Sequence, residues 1–340
     1  METRPADSEL RPRAPAPDAA ARGVGGLVAL ALLVALAVAL PWLLRALGFD
    51  YYLSLASRIV VYAIAATSLN FVLGYGGMVS FGHAAFVGLG AYVTGIMISE
   101  GVQSGSAHLL ATIAITAGAA LLIGAVSLRT RGVYFIMITL AFAQMLFYLA
   151  NSVKGYGGDE GLNIRPRSVF VLGDWVLDLK EPVAFYYVAL AVLSASLVAL
   201  ARFVPSRFGR AVLALRDDDV RAEALGFPTY CYKLVVFVVA GALGGVAGAL
   251  SVNLQGYVSP NVLHWTQSGT LMVMVILGGV ATIWGGVLGA VVLILLQETL
   301  SAYTRHWEFW TGWVLLAVVL FARQGLVGIL AARFGRGAVR

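Results

Sequence analysis

The residues of this chain that could do chemistry are few, and their spacing does not favour it. His83, His108, His264 and His306 show no pairing at three or four residues, the spacing that puts two imidazoles on one helix face around a metal. Cys231 is the single cysteine, which excludes a disulfide within the chain and a thiol metal site. Ser80 in "GMVSFG" and Ser268 in "WTQSGT" do not fit the G-x-S-x-G turn of a serine hydrolase. No G-x-x-x-x-G-K-[ST] loop is present, and none of Lys154, Lys180 and Lys233 follows a glycine, so the chain has no phosphate cradle of its own. The sequence predicts no catalytic residue, no metal and no bound cofactor.

What remains is a set of polar and glycine residues placed inside apolar sequence. "LGYGGMVSFGHAAFVGLGAY" (73–92) carries Gly74, Gly76 and Gly77 between two apolar runs, followed by Ser80 and His83, with Asn70 one turn earlier. Glycine tolerates the backbone angles of an interrupted helix. The carbonyls and amides freed by an interruption are admissible at membrane depth only where protein or a water-filled cavity meets them. This stretch is therefore expected to be a broken helix beside a passage, with His83 acting as a structural hydrogen-bonding partner. "LGGVATIWGGVLGAV" (277–291) joins two further apolar runs without a polar loop. Paired Gly-interrupted segments point to a transport pathway. "GALGGVAGAL" (241–250), with Gly241/Gly245 and Gly244/Gly248 four apart, reads instead as a helix-packing seam.

The elements that must position these residues are membrane spans. Of 340 residues, 60% are apolar and only 12% charged, and the mean hydropathy is +0.87. Soluble domains carry about 25% charged residues. Apolar runs of about 20 residues recur, as in a polytopic helical membrane protein. Ten spans are expected, at 27–44, 59–75, 77–98, 108–126, 133–150, 183–201, 234–254, 268–283, 284–300 and 309–322, with Glu298 the one ionised residue inside them. The run at 27–44 exceeds the length of a cleavable signal and is expected to be retained. The fold class is all-α. A disordered tail (1–25) and a basic tail (331–340) flank a membrane domain at 26–330.

Orientation follows from the cations. With the N-terminus in the cytoplasm, the inside segments 1–26, 127–132, 202–233 and 323–340 hold 16 of the 23 Lys and Arg residues, as the positive-inside rule requires. Both termini then lie inside, 151–182 is an outside loop, and the net charge of +6 reflects topology rather than nucleic-acid binding.

The inside loop contains "VPSRFGRAVLALRDDDVRAEALGFPTYCYK" (204–233). Asp217 or Asp218 caps a short helix, Gly226 suits the left-handed residue beyond its end, and Pro228 blocks continuation. Val220, Ala224 and Leu225 form a modest apolar side, with Arg221 and Glu223 elsewhere. Two turns do not persist alone in water, so this helix needs a surface to rest on. In a chain with no P-loop and no buried carboxylate in a span, it is expected to dock a cytoplasmic partner that supplies energy.

Four stretches carry a family resemblance: "LNFVLGYGGMVSFGHAAFVGLGAY" (69–92), "RTRGVYFIMITLAFAQML" (129–146), "FGRAVLALRDDDVRAEALGFPTYCYKLVVFVVAGALGGVAGAL" (208–250) and "RQGLVGIL" (323–330). Together they resemble the permease subunits of bacterial ABC importers for branched-chain amino acids, and "RGVYFIMITLAFAQ" resembles the longer of the two paired permeases. The resemblance implies that Arg210, Arg216, Asp217, Arg221, Glu223 and Gly226 lie on the loop presented to ATPase subunits, and that 74–83 is the broken region near the pathway. The Glu-Ala-Ala…Gly signature of many importers is not kept, since Gly226 follows Glu223 by three. It further implies a sister permease forming a heterodimer, two cytoplasmic ATP-binding subunits that use ATP, a periplasmic substrate-binding protein, and the bacterial inner membrane. For an amino acid zwitterion, which suits dipoles better than fixed charges, Asn70, Ser80, Thr139, Gln144 and Asn253 are candidate lining groups. Related permeases for urea or short amides share much of the pattern, and a stand-alone carrier or channel is the competing class.

Overall fold

A backbone that crosses hydrocarbon must satisfy its own hydrogen bonds, and this chain does so almost entirely with helices. The computed structural model describes residues 24–46, 48–164, 167–172, 175–321 and 325–328. Most of the two expected tails, and Arg323 of the closing motif, lie outside the described residues. Helix α1 (Val24–Ala46) begins within the stretch read as the first tail. It is followed by α2 (Asp50–Asn70), which runs on as a π-helical turn (Phe71–Tyr75), then α3 (His83–Ser99), α4 (Gly105–Ser127) and α5 (Val133–Ser152). After α5 come three short strands, β1 (Leu162–Asn163), β2 (Val169–Leu172) and β3 (Trp175–Asp178), and α6 (Pro182–Phe203). Helices α7 (Arg207–Asp217) and α8 (Asp219–Ala224) precede the longest helix, α9 (Thr229–Gln255). Strand β4 (Tyr257–Val258), a 3-10 turn (Pro260–Leu263), α10 (Trp265–Gly278), α11 (Gly285–Tyr303) and α12 (Trp307–Phe321) complete the order.

Among the described residues, six helices are long and apolar enough to cross a bilayer: α2 with its π turn, α4, α5, α6, α9 and α11. Helices α3, α10 and α12, placed where further spans are expected, have 17, 14 and 15 residues, short of the ~20 that span hydrocarbon. The expected span at 77–98 starts later than the sequence suggests, at His83 rather than residue 77, because 76–82 is irregular backbone. Helix α2 also begins earlier than expected and so includes Arg58, whose guanidinium lies 4.0 Å from Glu298 on α11; the Tyr51 hydroxyl donates to the same carboxylate.

Helices α2 and α9 form the centre. In the most apolar stretch of α2, 78% of residues are buried, against 17% for α5, so α5 turns Tyr134, Met137, Met145 and Tyr148 outward to lipid or to another subunit. Helices α3 and α4 pack along α9 through its glycines. A Cβ on Gly245 would sit 2.5 Å from Thr116 of α4, one on Gly90 would overlap the Gly245 carbonyl, and one on Gly248 would overlap that of Val87. Small residues allow such close approach, and in lipid packing contacts carry much of the association. Gly278, Gly285 and Gly289 play the same part between α10 and α11.

The bundle has two distinct ends. At one end β2 and β3 form an antiparallel hairpin, Val169 opposite Asp178, and β1 pairs with β4, Leu162 opposite Val258. Strands β1 to β3 lie in the loop 151–182 and were not foreseen in the sequence. Asn253 fastens that loop to the bundle. Its Oδ1 accepts from the Ser168 N–H (2.9 Å), and the Ser168 hydroxyl reaches His108 Nδ1 (2.7 Å). The other end carries α7, α8 and the irregular segments 76–82 and 279–284.

Candidate functional site

At the α7–α8 end, the two Gly-rich interruptions recognised in the sequence meet, and Asn70 joins them. Its Nδ2 donates to the Thr282 carbonyl (2.7 Å), and its Oδ1 accepts from the Ala281 N–H (3.0 Å). Ala281 is the one described non-glycine residue with a left-handed backbone, φ +61°, a conformation that costs about 1–2 kcal/mol. Two amide hydrogen bonds of ~0.5–1.5 kcal/mol each are enough to hold it. Gly74 leaves the room for this clamp, since a Cβ there would come within 2.5 Å of the Ala281 nitrogen. Asn70 is fully buried with both ends of its amide occupied by protein, which makes it a strap between the breaks in this conformation.

Beyond the π turn, Gly76 N–H still reaches the Phe71 carbonyl and Met78 N–H that of Val72, both at 3.1 Å. Gly77 then turns the chain with φ +67°. Ser80 is buried and accepts from the Gly82 N–H (3.2 Å), and Gly82 abuts Thr139 of α5, whose hydroxyl is returned to the Ile136 carbonyl. His83 opens α3. Its Nε2 lies 2.6 Å from Ser68 Oγ, and the one proton of that hydroxyl goes to the Ala240 carbonyl. The imidazole must therefore donate to the serine, which leaves Nδ1 bare and buried without a partner. His83 is thus a brace between α2, α3 and α9, as its sequence context suggests.

The loop helices are written into the sequence by their caps. Ser206 accepts from the Gly209 N–H (3.0 Å) to start α7, and Asp218 accepts from the Arg221 N–H (3.0 Å) to start α8. Asp218, not Asp217, is the cap; Asp217 ends α7. Gly226 (φ +86°) donates to the Glu223 carbonyl and Phe227 to that of Ala222, the paired bonds of a helix C-cap. The sequence reading missed α7, although Phe208, Ala211, Val212 and Leu215 follow the i, i+3, i+4, i+7 pattern. Those residues seat α7 on the bundle. Phe208 lies edge-on to Phe203 (ring centroids 5.3 Å) and close to Tyr232 (4.6 Å), and Phe203 lies edge-on to Phe71 in the π turn (4.8 Å). A chain of packed rings thus runs from the interrupted helix to the loop helix.

Between them lies a cavity of about 440 Å³, floored by the backbone of Gly76 and Gly77 and walled by Arg129, Arg131, Arg216, Lys233, Asp219 and Glu223. Arg216 rests on the break itself, since a Cβ on Gly77 would fall 2.9 Å from its Cγ. Lys233 reaches Asp219 (2.5 Å) and ties α8 to α9, while Asp219 Oδ1 is buried with no partner. Arg131 meets Glu223 at 3.3 Å with both side chains 62% exposed, a pair contributing at most ~1 kcal/mol. The four cations outnumber the two carboxylates. Of the loop residues expected to act together, Arg216 and Glu223 line this cavity; Arg210 is exposed, and Arg221 pairs with Asp218 (3.4 Å). Arg129, Arg131 and Lys233 entered the sequence reading only as topological signals. Two candidate lining groups lie elsewhere: Asn253 at the hairpin end, and Gln144 on α5, whose Nε2 is buried without a partner.

Comparison with known proteins agrees with this picture. The family described as "Branched-chain amino acid transport system / permease component" matches residues 51–323. The high-affinity branched-chain amino acid transport system permease protein LivM of Salmonella typhimurium is 29% identical over 319 residues, which cover 88% of this chain and 74% of that protein. The corresponding permease protein LivH of Escherichia coli K12 is 26% identical over 284 residues, 78% of this chain and 91% of its own. The L-arabinose ABC transporter permease protein AraH of Azospirillum brasilense is 30% identical over 122 residues, 34% and 36% of the two chains. No solved structure matches. LivM is the longer permease, the one that the 129–146 motif resembles. With six helices among the described residues fit to cross a bilayer and a match over most of its length, this multi-pass membrane protein belongs to the family of branched-chain amino acid transport permease components.

Proposed function

We propose that the chain is one permease subunit of an ATP-driven importer for branched-chain amino acids in a bacterial inner membrane. A sister permease completes the passage, two ATP-binding subunits dock on α7 and α8, and a substrate-binding protein delivers cargo at the hairpin end. Both termini then lie on the cytoplasmic side, and ATP is consumed by the partners. The observation that carries the reading is the contact of Arg216 with Gly77, reinforced by the rings from Phe208 to Phe71: pressure on α7 reaches an interrupted helix through packed atoms. The excess of cations around the cavity favours an acidic surface on the docking subunit. The names of the curated relatives supply the cargo class.

Purification in mild detergent tests the assembly. Co-purification of P-loop ATPase chains supports it, and an active lone protein contradicts it. Charge reversal at Arg210 or Glu223 is expected to leave membrane insertion intact while lowering uptake and its coupled ATP hydrolysis. Undiminished uptake and ATP hydrolysis in both variants would remove α7–α8 from the coupling route.

A further inference from the structure

A second cavity, of about 180 Å³, lies between α2, α3, α9 and α10 toward the hairpin end. Its lining combines aliphatic Val61, Ala65, Val87 and Leu271 with polar Ser251, Gln255, Asn261 and Gln267, beside Tyr62 and Ser259, and Gln255 donates to the Ser251 hydroxyl (3.2 Å). Among the described residues, no Asp, Glu, Lys, Arg or His lines it. Its volume is about that of six waters at ~30 Å³ each, small beside the ~300–1,000 Å³ of pockets for larger ligands. It is open to one side, while Ala84 and Ala247 at its base are fully buried. Two helix ends of opposite polarity flank it. Gln255 ends α9 and Ser251 stands one turn before it, near the end where backbone carbonyls concentrate negative potential. Gln267 stands in the first turn of α10, which starts without a side-chain cap and offers positive potential.

We infer that this cavity is a cargo-binding site for a small aliphatic amino acid in zwitterionic form. The ammonium group faces the end of α9, the carboxylate faces the start of α10, and the side chain lies on the aliphatic wall. Because the wall carries no charge, cargo with a net charge finds no counter-ion and is disfavoured. Uncharged amides also meet a zwitterion's two ends without fixing it so tightly that it cannot leave, as a passage requires. The inference rests on the importer reading, and it assigns the site to side chains that the sequence did not single out.

The test uses the chain with its partners in native membranes. Ser251→Cys is introduced with Cys231→Ser, and labelling by a small thiol reagent is timed. The native chain, whose one cysteine lies exposed in the first turn of α9, is the control. Leucine at about ten times its dissociation constant is expected to slow labelling about tenfold; lysine and glutamate leave it unchanged, and Cys231 labels at one rate throughout. Gln267→Cys gives a second position if the first variant does not assemble. Labelling that ignores leucine, or slows equally with lysine and glutamate, overturns the site, as does a thiol that never reacts. Leucine uptake by membranes carrying the native chain is measured alongside: its presence with unprotected thiols condemns the site alone, and its absence overturns the importer reading and the site with it.

Discussion

The glycines of α9 and Gly77 of the 74–82 break look alike in sequence and do opposite things. Gly241, Gly244, Gly245 and Gly248 keep helical backbone angles, and each is small so that another helix can touch: Ala120, His83, Thr116 and Val87 fill the space a side chain would take. In the break, Gly77 has φ +67° and its nearest neighbour is the flexible stem of Arg216 rather than a helix backbone. The α9 group lets rigid elements pack, as Gly74 and Gly82 also do, whereas Gly77 lets the chain change direction next to something that can move. The separation lies in the backbone angle and the nature of the neighbour, since 241–250 and 74–82 each hold four glycines.

Substitutions can break or sharpen this contrast. The largest effect is expected for Gly248→Leu: its Cβ would overlap the Val87 carbonyl, and a clash of core backbone costs upward of ~4 kcal/mol. Size-exclusion chromatography of detergent extracts should show little or no monodisperse protein. Gly77→Leu should instead assemble normally yet lose uptake. Its strained left-handed residue costs only ~1–2 kcal/mol, but the branched side chain displaces Arg216 from the break. Normal uptake in Gly77→Leu, or failure of both variants to assemble, would erase the distinction.

Asn70→Leu comes next. It strands the Ala281 N–H and the Thr282 carbonyl, a loss of about 1–3 kcal/mol, visible as a lower thermal midpoint in detergent. The smallest effect has the opposite sign. Gly118 in α4 has open space where its Cβ would go, so Gly118→Ala should raise stability by ~0.5–1 kcal/mol with uptake unchanged. Destabilisation there would reveal a neighbour on α4 that belongs to another subunit.

Much of this arrangement was legible in the sequence, and the rest was hidden for definite reasons. The α8 caps and Gly77 are local signals with local causes, so Asp218, Gly226 and Gly77 could be found from spacing and residue type. The α7 pattern was equally local, but the neighbouring aspartates drew the helix start too far along the chain. The β2–β3 hairpin also had its signal, since Gly173 and Asp174 stand between two strand-forming runs. Nothing local marks Ala281 as left-handed, because alanine is among the residues least suited to it. Its conformation is imposed by Asn70, 211 residues away. The polar side of the small cavity was likewise hidden: Ser251, Gln255, Asn261 and Gln267 come from α9, the 3-10 turn and α10, and only the packing of α2 and α3 against them makes one space.

Leucine accumulation in sealed vesicles tests the central claim, that this bundle is driven from outside itself through α7 and α8. Vesicles holding the chain with its co-purified ATPase subunits, sister permease and binding protein should concentrate leucine when ATP is supplied, and vesicles holding the chain alone should not under any ion gradient. Uphill accumulation by the chain alone would contradict the account.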